Sequence, residues 1–137
     1  MDAPQVLAHI HWLAVAVAAI VGFPLGALWY GPLFGSAWMA ATGITKERAR
    51  QANMVKIYGT TLLLNLIIAT SLAMFIGVMA TLADGVFAGF MAGLTYVAAA
   101  FGVSYLFEFR SFRLWAINAG YQVVVFSAMG AIIGAWH

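Results

Sequence analysis

Charge in this chain is confined to a few points, and the stretches between those points are long and apolar. The six basic residues are Lys46, Arg48, Arg50, Lys56, Arg110 and Arg113, and the four acidic ones are Asp2, Glu47, Asp84 and Glu108. They leave four runs without a charge: 10–30 (continuing less cleanly to Met39), 57–82, 86–107 and 114–136. A helix needs about 20 apolar residues to cross a hydrocarbon core about 30 Å thick. The alternative spanning architecture, a closed barrel, requires short strands of alternating polarity. Leu62-Leu63-Leu64 and Val123-Val124-Val125 do not alternate. The pattern predicts an all-α integral membrane protein, a four-transmembrane-helix bundle forming a single domain over 1–137.

Composition closes the other classes. Of the 137 residues, 65% are hydrophobic and 7% charged, against about 25% charged in soluble domains. A water-soluble globule would lack polar surface, and a disordered chain would be polar and charged. A net charge of +2 is too small for a phosphate-neutralising patch, so no nucleic-acid partner is expected. There is no Cys, hence no disulfide framework, thiol nucleophile or thiolate metal site. A cleavable signal peptide has a basic start and an apolar region of about 7–15 residues. Here the start carries Asp2 and the first run is longer, so it is expected to remain as a span.

The basic residues set an orientation. Four lie in the first connection and two in the third, while the second connection, around Asp84-Gly85, and both tails have none. Basic loops face the cytoplasm. The expected location is the bacterial cytoplasmic (inner) membrane, with both termini outside. Trp12 and Trp136 would mark the outer interface, and Trp38, Tyr58, Phe109, Phe112 and Trp115 the inner one. Ala83-Asp84-Gly85 reads as a tight turn. Gly31-Pro32 is expected to break the first helix. Thr45 with Glu47 reads as an N-cap, placing the start of the second helix near Lys46.

Small residues recur at every fourth position, the spacing that lets helices approach in lipid. They are Ala14, Ala18, Gly22 and Gly26 in the first run, and Ala69, Ala73 and Gly77 in the second. The third has Gly85, Gly89 and Gly93, and the fourth Ala116 with Gly120 and Gly130 with Gly134. A short, glycine-rich chain of this kind is expected to form a homo-oligomer or join a membrane-protein partner in the lipid bilayer. Pro24 is expected to kink the first helix. Shifting the chain by 67 residues aligns Gly22-Phe23-x-x-Gly26 with Gly89-Phe90-x-x-Gly93, Trp29 with Tyr96 and Trp38 with Tyr105. A shift of 53 aligns Asn65 with Asn118. The matches read either as two parallel helical-hairpin repeats, as in some transporters, or as coincidence in a chain rich in glycine and aromatics.

No charge falls inside a span, which argues against proton coupling and voltage sensing. The candidate intramembrane polar site is Asn65, Asn118, Tyr121 and Gln122. The two Asn either face each other at similar depth or act as hydrogen-bond glue between helices. His9, His11 and His137 share one end, but His9 and His11 are two apart and point to different faces. They read as interfacial, and neither a metal nor a cofactor is expected. Glu108, Arg110 and Arg113 read as an interfacial ion pair and topology signal. No nucleophile elbow, P-loop or HExxH occurs, so an enzyme is not expected.

The run Gly26-Ala27-Leu28-Trp29-Tyr30-Gly31-Pro32-Leu33-Phe34-Gly35-Ser36-Ala37-Trp38-Met39 resembles a signature of the bacterial membrane-protein family known as domain of unknown function 1761. The matching positions are Trp29, Tyr30, Pro32, Phe34, Gly35 and Trp38. The segment from Trp115 through Asn118 and Tyr121 to Gly130 and Trp136 is similar to that family's last helix. The resemblance implies a four-helix membrane domain and no particular activity. The expected function is that of a structural or accessory protein binding a membrane partner or lipid, with a passive channel or small-molecule transporter as the alternative.

Overall fold

A computed structural model describes residues 2–136. Among these, four helices are long and apolar enough to cross a membrane: Trp12–Leu33, Met54–Ile76, Leu82–Phe107 and Phe112–Ala135. They are called here the first to fourth spans, and they form an all-α membrane bundle. Short helices Ala3–Ala8, Gly35–Thr42 and Lys46–Arg50 precede or connect them.

The helix starts follow capping chemistry. Thr45 caps Lys46–Arg50 by accepting from the Arg48 N–H. That helix ends after five residues, so the second span does not begin near Lys46. It begins at Met54, where the Asn53 side chain accepts from the Lys56 N–H. The expected turn at Ala83-Asp84-Gly85 is instead the first turn of the third span. Thr81 and Asp84 form a reciprocal capping box: Thr81 N–H donates to Asp84 at 2.9 Å, and Asp84 N–H to Thr81 at 3.3 Å. Such a box satisfies two orphan donors at once and moves the boundary upstream. The second span therefore stops at Ile76, and Gly77, with φ +79°, turns the chain rather than packing a helix face.

The first span ends in a π turn at Trp29–Leu33, where Phe34 N–H donates to Trp29 O at 2.8 Å. The helical path then breaks at Phe34 (φ −125°, ψ 7°), as the Gly31-Pro32 pair led us to expect. Gly35 follows because a Cβ there would stand 2.5 Å from the Tyr30 carbonyl oxygen. The third span carries a π stretch at Ala92–Ala98, which overlaps the first one at the 67-residue shift.

Close packing is concentrated on the third and fourth spans. A Cβ on Gly85 would collide with the Gly130 carbonyl oxygen and lie 2.9 Å from Gly134 Cα. A Cβ on Gly89 would strike the Phe126 carbonyl. One on Gly93 would lie 2.9 Å from Val123 Cα. Gly22 and Gly26 differ, because they face side chains of other helices: Asn65 and Tyr121 for Gly22, and Tyr121 alone for Gly26. Gly120 lies against the Trp29 ring, while Ala116 is exposed.

The fourth span packs against the other three and is 39% buried, against 11% for the second. The apolar core, including Val15, Ala18, Ala69, Leu72, Phe126 and Met129, occupies the half of the bundle nearer Trp12 and Ala135. Replacing Gly89 by Ala is expected to cost about 1–3 kcal/mol, the range for overpacking a filled interface. Gly59→Ala, where a Cβ meets nothing within 4 Å, is expected to be neutral or stabilising by up to about 1 kcal/mol. Unfolding in bicelles compares the two, and equal effects would remove the close approach as a source of stability.

Candidate functional site

The other half of the bundle is built differently. Aromatic side chains from the end of the first span meet the fourth span and its amide, Asn118, there. The Trp29 indole Nε1–H donates to the Ile117 carbonyl at 2.9 Å. The Tyr30 hydroxyl donates to Asn118 Oδ1 at 2.7 Å. Asn118 Nδ2 in turn donates to the Tyr105 hydroxyl, on the third span, at 2.9 Å. The Tyr121 hydroxyl donates to the Gly22 carbonyl at 2.7 Å.

Ring contacts fill the space between these bonds. Tyr30 stands edge-on to Tyr121, with centroids 5.1 Å apart, and edge-on to Trp38 at 5.7 Å. Trp29 lies 4.7 Å from Phe34 and 6.4 Å from Tyr121. Edge-on pairs of this kind add about 0.5–1.5 kcal/mol beyond area burial. The run 29–38 is thus a folding unit: the π turn and the break at Phe34 bring Trp29, Tyr30 and Trp38 to one cluster. Pro32 and Phe34 sit exposed at the bend, and Gly35 is buried in it.

The four polar candidates do not gather in one place. Asn65 donates to the Ala19 carbonyl at 3.1 Å and joins the second span to the first. It is the twelfth of the 23 residues in its span, whereas Asn118 is the seventh of 24. With the second span bounded by Met54 and Ile76, Asn65 falls at its middle, so the two Asn lie at different depths: Asn65 joins the second span to the first, and Asn118 joins the fourth to the first and third. Asn65 and Tyr121 approach the same backbone, around Gly22. Gln122 is half-buried. Its carbonyl lies 3.3 Å from where a Gly93 Cβ would be, and its side chain has no hydrogen-bond partner among the described residues.

Two participants were not among the sequence candidates as partners. Tyr105 links Asn118 to the end of the third span, where the Arg110 guanidinium stands 5.3 Å over its ring. Arg110 also pairs with Glu108 at 2.9 Å. Phe109, with φ 56°, makes the sharp reversal between the third and fourth spans. The 67-residue shift that matched Trp38 to Tyr105 was the available signal for this residue.

A cavity of about 590 Å³ adjoins the cluster, with Trp38, Thr42, Arg110, Ser111, Leu114 and Asn118 in its wall. At the opposite end, His9 Nδ1 donates to the Gln5 carbonyl at 2.7 Å, and His11 caps the first span by accepting from the Ala14 N–H. Among the described residues no three His or acidic side chains gather as a metal group. His137 lies outside the described residues.

The family model for proteins of unknown function DUF1761 matches residues 13–134. The chain belongs to this family. No curated protein and no solved structure matches it. The matched region contains the whole 29–38 unit and the fourth-span residues it contacts.

The Tyr30–Asn118 bond has a direct test. Tyr30→Phe and Asn118→Leu are each expected to destabilise, with a coupling between them of about 0.6–2 kcal/mol, the range for interhelical hydrogen bonds in membranes. Tyr30→Phe and Asn65→Leu are expected to be additive. A double-mutant cycle of unfolding in lipid measures both, and an uncoupled Tyr30–Asn118 pair would contradict the geometry.

Proposed function

We propose that this chain is an accessory membrane protein that binds a lipid or protein partner, and that it neither catalyses a reaction nor conducts a solute. One observation carries this reading. Tyr30, Asn65, Asn118 and Tyr121 all engage in hydrogen bonds between helices, which leaves Gln122 as the one member of the candidate polar site without a partner among the described residues. A group that lines an aqueous path must exchange its partner for passing solute or water. Groups that join helices hold the bundle in one arrangement.

The second span supports the partner half of the proposal. Its small buried share leaves most of its surface facing outward, where lipid, a second copy of the chain or another membrane protein can lie. In the proposed orientation the end bearing the basic residues faces the cytoplasm of a bacterial cell and both termini lie outside.

Proteoliposomes holding the full chain are expected to leak small solutes no faster than empty vesicles, before and after the paired change Asn65→Leu with Asn118→Leu. Flux that depends on the two Asn would replace this reading with a transporter. Because the chain has no native Cys, orientation is read by adding one. Met79→Cys is expected to react with an impermeant maleimide on intact cells, and Gln51→Cys to react after lysis. The reverse pattern would invert the topology.

A further inference from the structure

The cavity beside Asn118 has a chemical bias. Its polar wall is made chiefly of donors. The Trp38 indole N–H has no acceptor among the described residues. Asn118 Nδ2 uses one hydrogen on Tyr105 and retains a second. Ser111 Oγ accepts from the Leu114 N–H as the cap of the fourth span, which leaves its own hydroxyl proton free to donate. Arg110 is the one charged residue in the wall. Glu108 meets it through Nε, and 47% of the arginine side chain remains exposed. The 24-residue fourth span begins at this wall, with its cap Ser111 and its third residue Leu114 both lining the cavity, and the dipole at a helix start favours an anion.

The remaining wall is apolar. Ala41, Ile44, Phe109 and Leu114 stand beside these donors. The cavity lies at the end of the spans that carries the basic residues, and basic residues flanking apolar spans mark a membrane–water interface. A site with donors and one guanidinium on one side and apolar side chains on the other matches an anionic head joined to an apolar tail.

We propose that this cavity binds a phosphate group, and that the phosphate belongs to the headgroup of an anionic phospholipid. Arg110 supplies the charge-assisted bond; Trp38 Nε1–H, Ser111 Oγ–H and Asn118 Nδ2–H complete the cradle. The same donors would receive inorganic phosphate, and the apolar wall distinguishes the two sources. The proposal rests on the reading of the chain as a lipid- or partner-binding protein and names the ligand class. Asn118 and Trp38 also belong to the cluster that joins the first and fourth spans, so an occupied cavity would bear on that junction.

The test uses the full chain in detergent, titrated with short-chain phosphatidylglycerol, short-chain phosphatidylcholine or inorganic phosphate. The readout is the indole ¹⁵N–¹H resonance of Trp38, assigned by its loss in Trp38→Phe. Phosphatidylglycerol is expected to shift that resonance to saturation. Arg110→Gln is expected to weaken binding about tenfold or more, as loss of a charge-assisted hydrogen bond does. Arg113→Gln, an equal charge change outside the cavity wall, is expected to weaken it less than about twofold. Both substitutions alter exposed side chains, and the retained spectrum of the other indoles reports that each variant folds. Saturation by phosphatidylglycerol and not by inorganic phosphate assigns a lipid. Saturation by inorganic phosphate alone overturns the lipid source. A response no stronger than that to phosphatidylcholine overturns selection for an anionic lipid, and equal losses in the two arginine variants show attraction to surface charge and overturn the site. Solute flux in proteoliposomes with Trp38 still responding would overturn the function proposed above and leave this site standing.

Discussion

The contact on which the bundle depends is the approach of the third and fourth spans, backbone to backbone, across Gly85, Gly89 and Gly93 on one side and Gly130 and Gly134 on the other. In water, two apolar helices associate because association removes surface from solvent. In lipid that force is absent, since the acyl chains are as apolar as the helices. What remains is dispersion between atoms in contact, and it falls off steeply with separation. Glycine permits the smallest separation. With these two spans locked, the fourth becomes the central helix, and its remaining faces receive the first and second spans.

Those faces divide the molecule into two halves. Val125, Phe126, Met129 and Ile133 meet Val15, Ala18, Ala69 and Leu72 in a core without polar side chains. In the other half, Ile117 and Asn118 accept hydrogen bonds from Trp29 and Tyr30, and the Tyr121 hydroxyl donates to the Gly22 carbonyl. The division has a local cause at the end of the first span. A regular helix would carry Trp29, Tyr30 and Trp38 around its axis at 100° per residue. The π turn and the break at Phe34 fold the chain back, and the buried Gly35 lets it pass close to the Tyr30 carbonyl.

Much of this organisation was legible in the residues. The absence of charge over four long runs marks the spans, because charge at depth is costly. The four-residue spacing of glycine marks the third–fourth contact for the same reason of solvent. Thr45 was readable as a cap. Asn53 and Thr81 carry the same chemistry, yet each sits at the edge of an apolar run that draws the eye past it. The helix boundaries moved accordingly. The partnerships of Tyr30, Asn118 and Tyr105 were not legible. Tyr30 and Asn118 are separated by 88 positions, and nothing local to either residue names the other. The 29–38 run could be seen as a unit through its family resemblance, but not the π turn that aims its side chains. The cavity beside Asn118 is formed by a short helix, a reversal and the start of the fourth span, so no contiguous segment encodes it.

The separation in sequence also sets an order of events during synthesis. The first span presents the Trp29 and Tyr30 donors and the Gly22 acceptor, and their partners lie on the fourth span, 88 to 99 residues later. At about 5–20 residues per second, the first span waits roughly 5–20 s for them. Lipid offers those groups no substitute. The third and fourth spans, by contrast, are joined by four residues and can close on one another as soon as both are made. The first span is therefore the last of the four to be fully partnered, and during that interval water, the insertion machinery or an early-arriving partner must shelter its polar end.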